Sequence, residues 1–498
     1  MNELIVIAGK LVVAADQDGS VDVVDDGAVL VSNGAVAAVG SARELRAEHP
    51  YVPTFGGPGF VALPGLVDSH HHVGLTPTQL GVPSESLELW TLMLMQCAPV
   101  DPYLDTLVSG LELLRSGVTT VQHLASVRDD PAGPADADDA VLRAYADLGM
   151  RVSYSVGIVD QNRLLLDGEQ SIVADLPAPY NQELAAWLTG RASAAEQLAR
   201  GYHELRKRWD GEAGGRIRIQ LAPTNLHWCS DEALQLVTAA SEADGVPMHM
   251  HLLETAYQRV YGLRRSKRGT LGHLDDLGVL GPRLTIGHGV HVDDSDLDLL
   301  AERGVSLCHN PSSNLRLKSG TAPLNRYLAR GIPVALGIDE AGLADDRDML
   351  LEIKLAYNVH RAPGIDTRVP TTGEVLAMAT GNGARTTPFG NAVGNLRPGA
   401  RADLVLVDAH RLAGAHLSER VPVADAIVHR AKPEHVHTVL VDGEVVVENG
   451  RVRTVSEEDV FGEIAERMAG PWPGREDAER RSRMLVEAAR RHYASWLG

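Results

Sequence analysis

Between residues 58 and 394, eight short apolar runs alternate with stretches of helical pattern, and this alternation constrains the fold more than any other feature of the chain. The runs fall near 61–69, 117–124, 151–158, 216–223, 246–252, 284–289, 304–309 and 332–338. A β-α rhythm repeated in this way belongs to the α/β class, and eight repeats predict a (β/α)8 TIM-like barrel with a parallel sheet. Residues 1–57 and 395–455 read differently. Alternating segments such as Leu4-Ile5-Val6-Ile7-Ala8 and Val439-Leu440-Val441, with turn pairs Asp18-Gly19 and Asn33-Gly34, predict short strands and hairpins. The two ends are expected to build one small β-sandwich beside the barrel. The remainder, 456–498, is a charged helical extension whose last residues, Tyr493 to Leu497, are expected to dock on the barrel or on a neighbouring subunit.

Within the barrel, chemistry-bearing residues collect at the predicted strand ends. An apolar segment runs into His70-His71-His72, and residues two apart on a strand share a face, so His70 and His72 can reach one cation. His251 ends the run Val246-Pro247-Met248-His249-Met250, and Asp339 follows Ile332 to Ile338. Three imidazoles and a carboxylate suit one divalent ion, Zn2+ first and Fe2+ second. TIM barrels build their active sites at the C-terminal strand ends, so fold and chemistry point the same way. Taken singly, each histidine would more often be structural.

The matching segments are PGLVDSHHH at 64–72, SGVTTVQHL at 116–124, HLLET at 251–255, IGHGVH at 286–291, CHNPSSNLRLKSGTAPL at 308–324, LGID at 336–339 and GNLRPGARADLVLVD at 394–408. Together they resemble the amidohydrolase superfamily, in the branch of mononuclear deaminases and chlorohydrolases. That branch includes cytosine, guanine and adenosylhomocysteine deaminases and the triazine hydrolases. The resemblance implies that His70, His72, His251 and Asp339 hold the metal, with Asp339 also accepting a proton from the attacking water. It implies that Glu254 passes that proton to a substrate ring nitrogen and that His288 polarises the water. The two-metal members carry a lysine on the fourth barrel strand, and 216–223 has none, so one metal is expected.

Substrate residues are less constrained. A carboxylate in the loop after the first barrel strand binds ribose in nucleoside-type relatives, which makes Glu88 a candidate. His123 at the second strand end and His227 after the fourth are others. Glu340, where relatives carry a small residue, either enters the pocket or pairs outward with Arg347. His71 and His249 are read as structural and facing away from the ligand side, and Asn310 and Asn314 as braces of the seventh loop.

A formal net charge of −20 argues against a general nucleic-acid binder, and the zinc signature of the nucleic-acid deaminases is absent. Three scattered cysteines favour a reducing compartment, and neither a secretory signal nor a membrane-length apolar run is visible; the expectation is a cytoplasmic protein. The function expected is hydrolytic deamination of a C–NH2 carbon in a nitrogen heterocycle or cyclic amidine. The competing enzyme reading releases chloride or an alkylamine from a triazine-like ring, or cleaves an amide. A non-catalytic metal-binding scaffold is disfavoured by the joint presence of Glu254, His288 and Asp339. Partners are expected to be a small-molecule substrate and, by resemblance, further copies in a dimer or tetramer, with no nucleic acid and no membrane.

Overall fold

The computed structural model describes residues 3–72, 74–125, 134–190 and 195–497. The N-terminal strands are β1 (Glu3–Ala15), β2 (Val21–Ser32), β3 (Ala35–Ser41) and β4 (Thr54–Pro64). Asn33 and Gly34 both take positive φ, 51° and 78°, the geometry that a two-residue hairpin turn requires between β2 and β3. Eight further strands follow: β5 (Leu66–His71), β6 (Val118–Leu124), β7 (Arg151–Ile158), β8 (Ile217–Pro223), β9 (Met248–Leu252), β10 (Leu284–His288), β11 (Ser306–His309) and β12 (Val334–Leu336). They pair in sequence order and in parallel, with helices between them. The barrel closes just past β12, where Asp339 N–H donates to the carbonyl of His70 at 2.7 Å. The eight-fold alternation in the sequence is therefore the TIM barrel.

The chain returns through β13 (Leu404–Asp408), β14 (Val436–Val441), β15 (Glu444–Glu448) and β16 (Arg451–Val452). These join the N-terminal strands in one sheet of order β16-β15-β14-β13-β4-β1-β2-β3. β4 unites the two ends, pairing parallel with β1 and antiparallel with β13. Val6, Val29 and Val31 from the start of the chain and Leu404, Leu406 and Leu440 from its end share one buried core.

The apolar run at 61–69 is two strands rather than one. Val61 to Pro64 complete β4, so the end sheet continues through Pro64 instead of stopping at 57, and the barrel begins at Leu66. Gly65 is the hinge: a Cβ there would lie 2.1 Å from the Thr119 hydroxyl, a distance that no side chain tolerates. Periodicity cannot mark this break because both pieces are buried and apolar. The tail forms helices Glu457–Ala469 and Arg475–Tyr493, and it docks on the barrel of its own chain. Among the described residues no helix is long and apolar enough to cross a membrane.

Candidate active site

The strand ends deliver three imidazoles to one point. His72 Nδ1 donates to the Leu124 carbonyl at 3.0 Å and His251 Nδ1 to the Thr224 carbonyl at 2.8 Å. A carbonyl accepts only, so the neutral form of each ring carries its proton on Nδ1 and offers a lone pair on Nε2. Those two Nε2 atoms face each other at 3.2 Å. Two lone pairs at that distance repel unless something positive lies between them. Bonds of about 2.0–2.1 Å at a tetrahedral angle would set two nitrogens about 3.3 Å apart, close to what is observed. His70 Nε2 is fully buried and has no hydrogen-bond partner among the described residues, and it lies 3.7 Å from Asp339 Oδ1. Asp339 Oδ1 is also 3.5 Å from His72 Nε2. His70, His72 and His251 thus form one donor group, and His70 with His288 and Asp339 an overlapping one. Donors of this kind suit a divalent metal ion.

Burial holds two of these imidazoles neutral, as ligation requires: His70 is pushed well below the ordinary histidine range, and His251 to about 3. The backbone is bent to the same end. His288 and Asp339 adopt φ of 72° and 69°, a left-handed conformation that a non-glycine residue holds only when its surroundings demand it. Leu253, at φ 51°, turns the chain after β9 and carries Glu254 inward.

Glu254, His288 and Asp339 converge. His288 Nε2 is 3.8 Å from Glu254 Oε2 and 3.8 Å from Asp339 Oδ2. Burial raises the Glu254 carboxyl above the ordinary range, opposed by His288 and assisted by Asp339. Ser313 Oγ donates to Asp339 Oδ2 at 2.6 Å, and His288 Nδ1 donates to Asn314 Oδ1 at 2.9 Å, which leaves His288 Nε2 as acceptor. Asn314 is thus more than a loop brace: it orients the imidazole. Ser313, in helix Pro311–Arg316, is not singled out by the sequence, because its partner Asp339 lies 26 residues away, just past β12.

His249 does not face away. It sits two residues before His251 on β9, hence on the same side, and its Nε2 lies 2.9 Å from His70 Nδ1. The period-two rule applied from His251 is the signal that could have found it. His249 is in the position of a group that fixes the orientation of His70, and such groups typically contribute about 10–100-fold to metal affinity. His249→Ala is accordingly expected to weaken metal binding by about that factor, read by competition with a chromophoric chelator. His71 does turn from the cluster, toward Asp68 Oδ2 at 3.5 Å.

The substrate candidates divide. Glu88, in helix Leu87–Met93, is 7 % exposed; Thr255 Oγ1 donates to its Oε1, while Oε2 has no partner among the described residues. Burial, opposed by that hydroxyl and assisted by the charge of Glu254, pushes Glu88 up to about 7. His227 is buried with its ring 4.4 Å from that of Trp228, and burial followed by the influence of His251 and Arg265 lowers it to about 3. Glu340 is half-buried and lines a narrow cleft with Trp90, Ser313 and Arg316, whereas Arg347 is buried and pairs with Glu112 at 3.2 Å. His123 is the exception. On β6 Gln122 points inward to Ser155, so its neighbour His123 points outward into the helical layer, with Nδ1 3.0 Å from the Tyr145 hydroxyl and its ring stacked on Tyr154. It does not line the pocket.

Residues 61–446 match the model of the amidohydrolase family, and residues 27–50 match an imidazolonepropionase-like composite domain of bacteria. The chain belongs to the amidohydrolase family and is a hydrolase acting on carbon–nitrogen bonds. Its relatives include a 5-methylthioadenosine/S-adenosylhomocysteine deaminase of Syntrophobacter fumaroxidans, 31 % identical over 93 % of this chain and 97 % of that one. A 5'-deoxyadenosine deaminase of Methanosarcina mazei is 29 % identical over 92 % and 96 %. Among solved structures, a zinc-bound adenosine deaminase of Xanthomonas campestris shares the fold with a TM-score of 0.78 at 24 % identity, over 94 % of this chain and 98 % of that one. The zinc complex of the atrazine chlorohydrolase of Arthrobacter aurescens shares it with a TM-score of 0.77 at 22 %, over 93 % and 99 %.

Proposed function

We propose that this protein is a zinc-dependent deaminase of adenosine-type nucleosides, converting the C–NH2 carbon of the purine to a carbonyl with release of ammonia. The observation that carries the reading is the convergence of Glu254 Oε2 and Asp339 Oδ2 on His288 Nε2, each at 3.8 Å, beside the imidazole cluster. His70, His72, His251 and Asp339 would hold the ion, which when bound lowers the pKa of a water toward about 7. Asp339 Oδ2 and His288 Nε2 accept and steer the proton that this water gives up. Glu254 delivers a proton to the ring nitrogen next to the reacting carbon, making that carbon electrophilic. The water oxygen then forms its bond to carbon, the C–N bond breaks, and the amino group leaves as ammonia with one proton from the water, the other having gone to the ring nitrogen through Glu254.

The sugar is assigned to Glu88. A buried carboxylate with one unpartnered oxygen is costly unless a substrate donor satisfies it, and a pair of ribose hydroxyls offers such donors. The deaminase relatives named for adenosine derivatives support the same substrate class.

The test is ammonia release from adenosine, 5'-deoxyadenosine and 5'-methylthioadenosine, with adenine, guanine, cytosine and chlorotriazines beside them. Turnover confined to free bases, or chloride in place of ammonia, would sink the nucleoside reading. Glu88→Gln is expected to raise KM for the nucleoside by about 10- to 100-fold, as when a charged hydrogen bond of about 1.5–3 kcal/mol is lost. Because Glu88 must be ionised to accept from both hydroxyls, KM for the nucleoside should fall as pH rises through about 7, and Glu88→Gln should flatten that dependence.

A further inference from the structure

The C-terminal extension reaches the catalytic face. Helix Glu457–Ala469 runs beside helix Pro102–Arg115, with Glu457 paired to Arg115 at 2.9 Å at one end and Arg467 to Asp101 at 2.8 Å at the other. Asp101 caps the N-terminus of Pro102–Arg115, the end that follows the loop after β5, so the tail climbs from the closed end of the barrel to the open one. There helix Arg475–Tyr493 crosses the helix that carries Glu88. Ser482 Oγ donates to the Leu92 carbonyl at 3.0 Å, and Arg490 pairs with Glu85 at 3.4 Å. Leu485, Val486, Ala488 and Ala489 of this helix are buried.

At its far end the tail reaches two more loops. The Tyr493 hydroxyl accepts from Leu166 N–H at 2.9 Å, in the segment after β7. The Tyr493 ring lies 5.1 Å from that of Tyr257, in the helix that follows Glu254. The guanidinium of Arg264, on the same helix, lies over the Trp496 ring at 3.8 Å.

We propose that the C-terminal helix is a positioning element for the substrate site, holding Glu88 inward by fastening the loop after β5, through Ser482 and Arg490, to the loops after β7 and β9, through Tyr493. Glu88 sits in a seven-residue helix, too short to persist without tertiary support. A buried carboxylate with an unpartnered oxygen pulls such a helix outward toward water, so something must oppose the tilt. The tail packs on that helix through its contacts to Leu92 and Glu85. The proposal rests on the reading of Glu88 as the sugar-binding carboxylate.

The experiment compares Tyr493→Ala and Tyr493→Phe in the metal-loaded full-length enzyme, alone and combined with Glu88→Gln. Tyr493→Ala is expected to speed amide hydrogen exchange across residues 84–93 and to raise KM for adenosine about tenfold, with kcat and metal content held within about twofold. Tyr493→Phe keeps the ring contact and should recover most of the KM. In the Glu88→Gln background Tyr493→Ala should change KM less than about twofold, since the group it positions is already lost. A full effect in both backgrounds, or unchanged exchange across 84–93, overturns the proposal. Exchange is read without substrate, so faster exchange in a protein that deaminates no nucleoside supports the tail's hold on Glu88 and counts against the nucleoside reading alone. Should Tyr493→Ala fail to fold, Ser482→Ala, which removes the bond to the Leu92 carbonyl, carries the same expectations at smaller size.

Discussion

Glu254→Gln is expected to lower kcat for ammonia release by about 10²–10⁴-fold, the range that one general acid–base group supplies. The carboxylate is the only titratable side chain in HLLET besides the histidine itself, and the left-handed turn at Leu253 aims it at His288. Glutamine keeps the length and the contact from Ser319 Oγ, which lies 3.3 Å from Glu254 Oε1, but it cannot carry the proton. Metal content measured by mass spectrometry should stay at the wild-type level, because Glu254 belongs to none of the three donor groups around His70 among the described residues. Loss of activity accompanied by loss of metal would mean that Glu254 is structural. Activity within threefold of wild type would remove it from the chemistry altogether.

The second large effect is expected on the metal itself. Chelation should abolish turnover and Zn2+ should restore it, while His251→Ala should leave a protein that neither retains metal nor recovers. The reason is the 3.2 Å approach of two lone pairs, from His72 and His251, each held in that tautomer by a backbone carbonyl. Without a cation this arrangement is repulsive; with one it is a preformed pair of ligands. A ligand that binds only the folded chain stabilises it by about 2.7 kcal/mol at a free concentration 100 times its dissociation constant. Thermal melting should therefore move down on chelation in the wild type and not at all in His251→Ala. A wild-type melting temperature indifferent to chelation, with activity retained, would refute the metal reading.

Much of this architecture is local information. The barrel is legible because eight buried parallel strands leave eight near-continuous apolar runs, and the H-x-H spacing is legible because strand side chains repeat with period two. Glu254 is legible through the family resemblance that HLLET at 251–255 helps to carry. The break at Gly65 is not, since both flanking segments are apolar and only the hydroxyl of Thr119, from another strand, forbids a side chain there. His123 shows the same limit. It lies on a strand, but which face is interior depends on register with neighbouring strands, and a one-residue difference exchanges pocket for helical layer.

The sequence alone determined the barrel, the sheet built from both chain ends, and the residue types gathered at the strand ends, because periodicity and spacing are properties of neighbours along the chain. Only the tertiary structure decided that Asn314 orients His288, that His249 stands behind His70, that His123 is outside the pocket, and that the tail lies across the catalytic face. Those relations join residues tens to hundreds of positions apart. They follow from strand register and helix docking, which are settled by packing in three dimensions rather than by any local pattern.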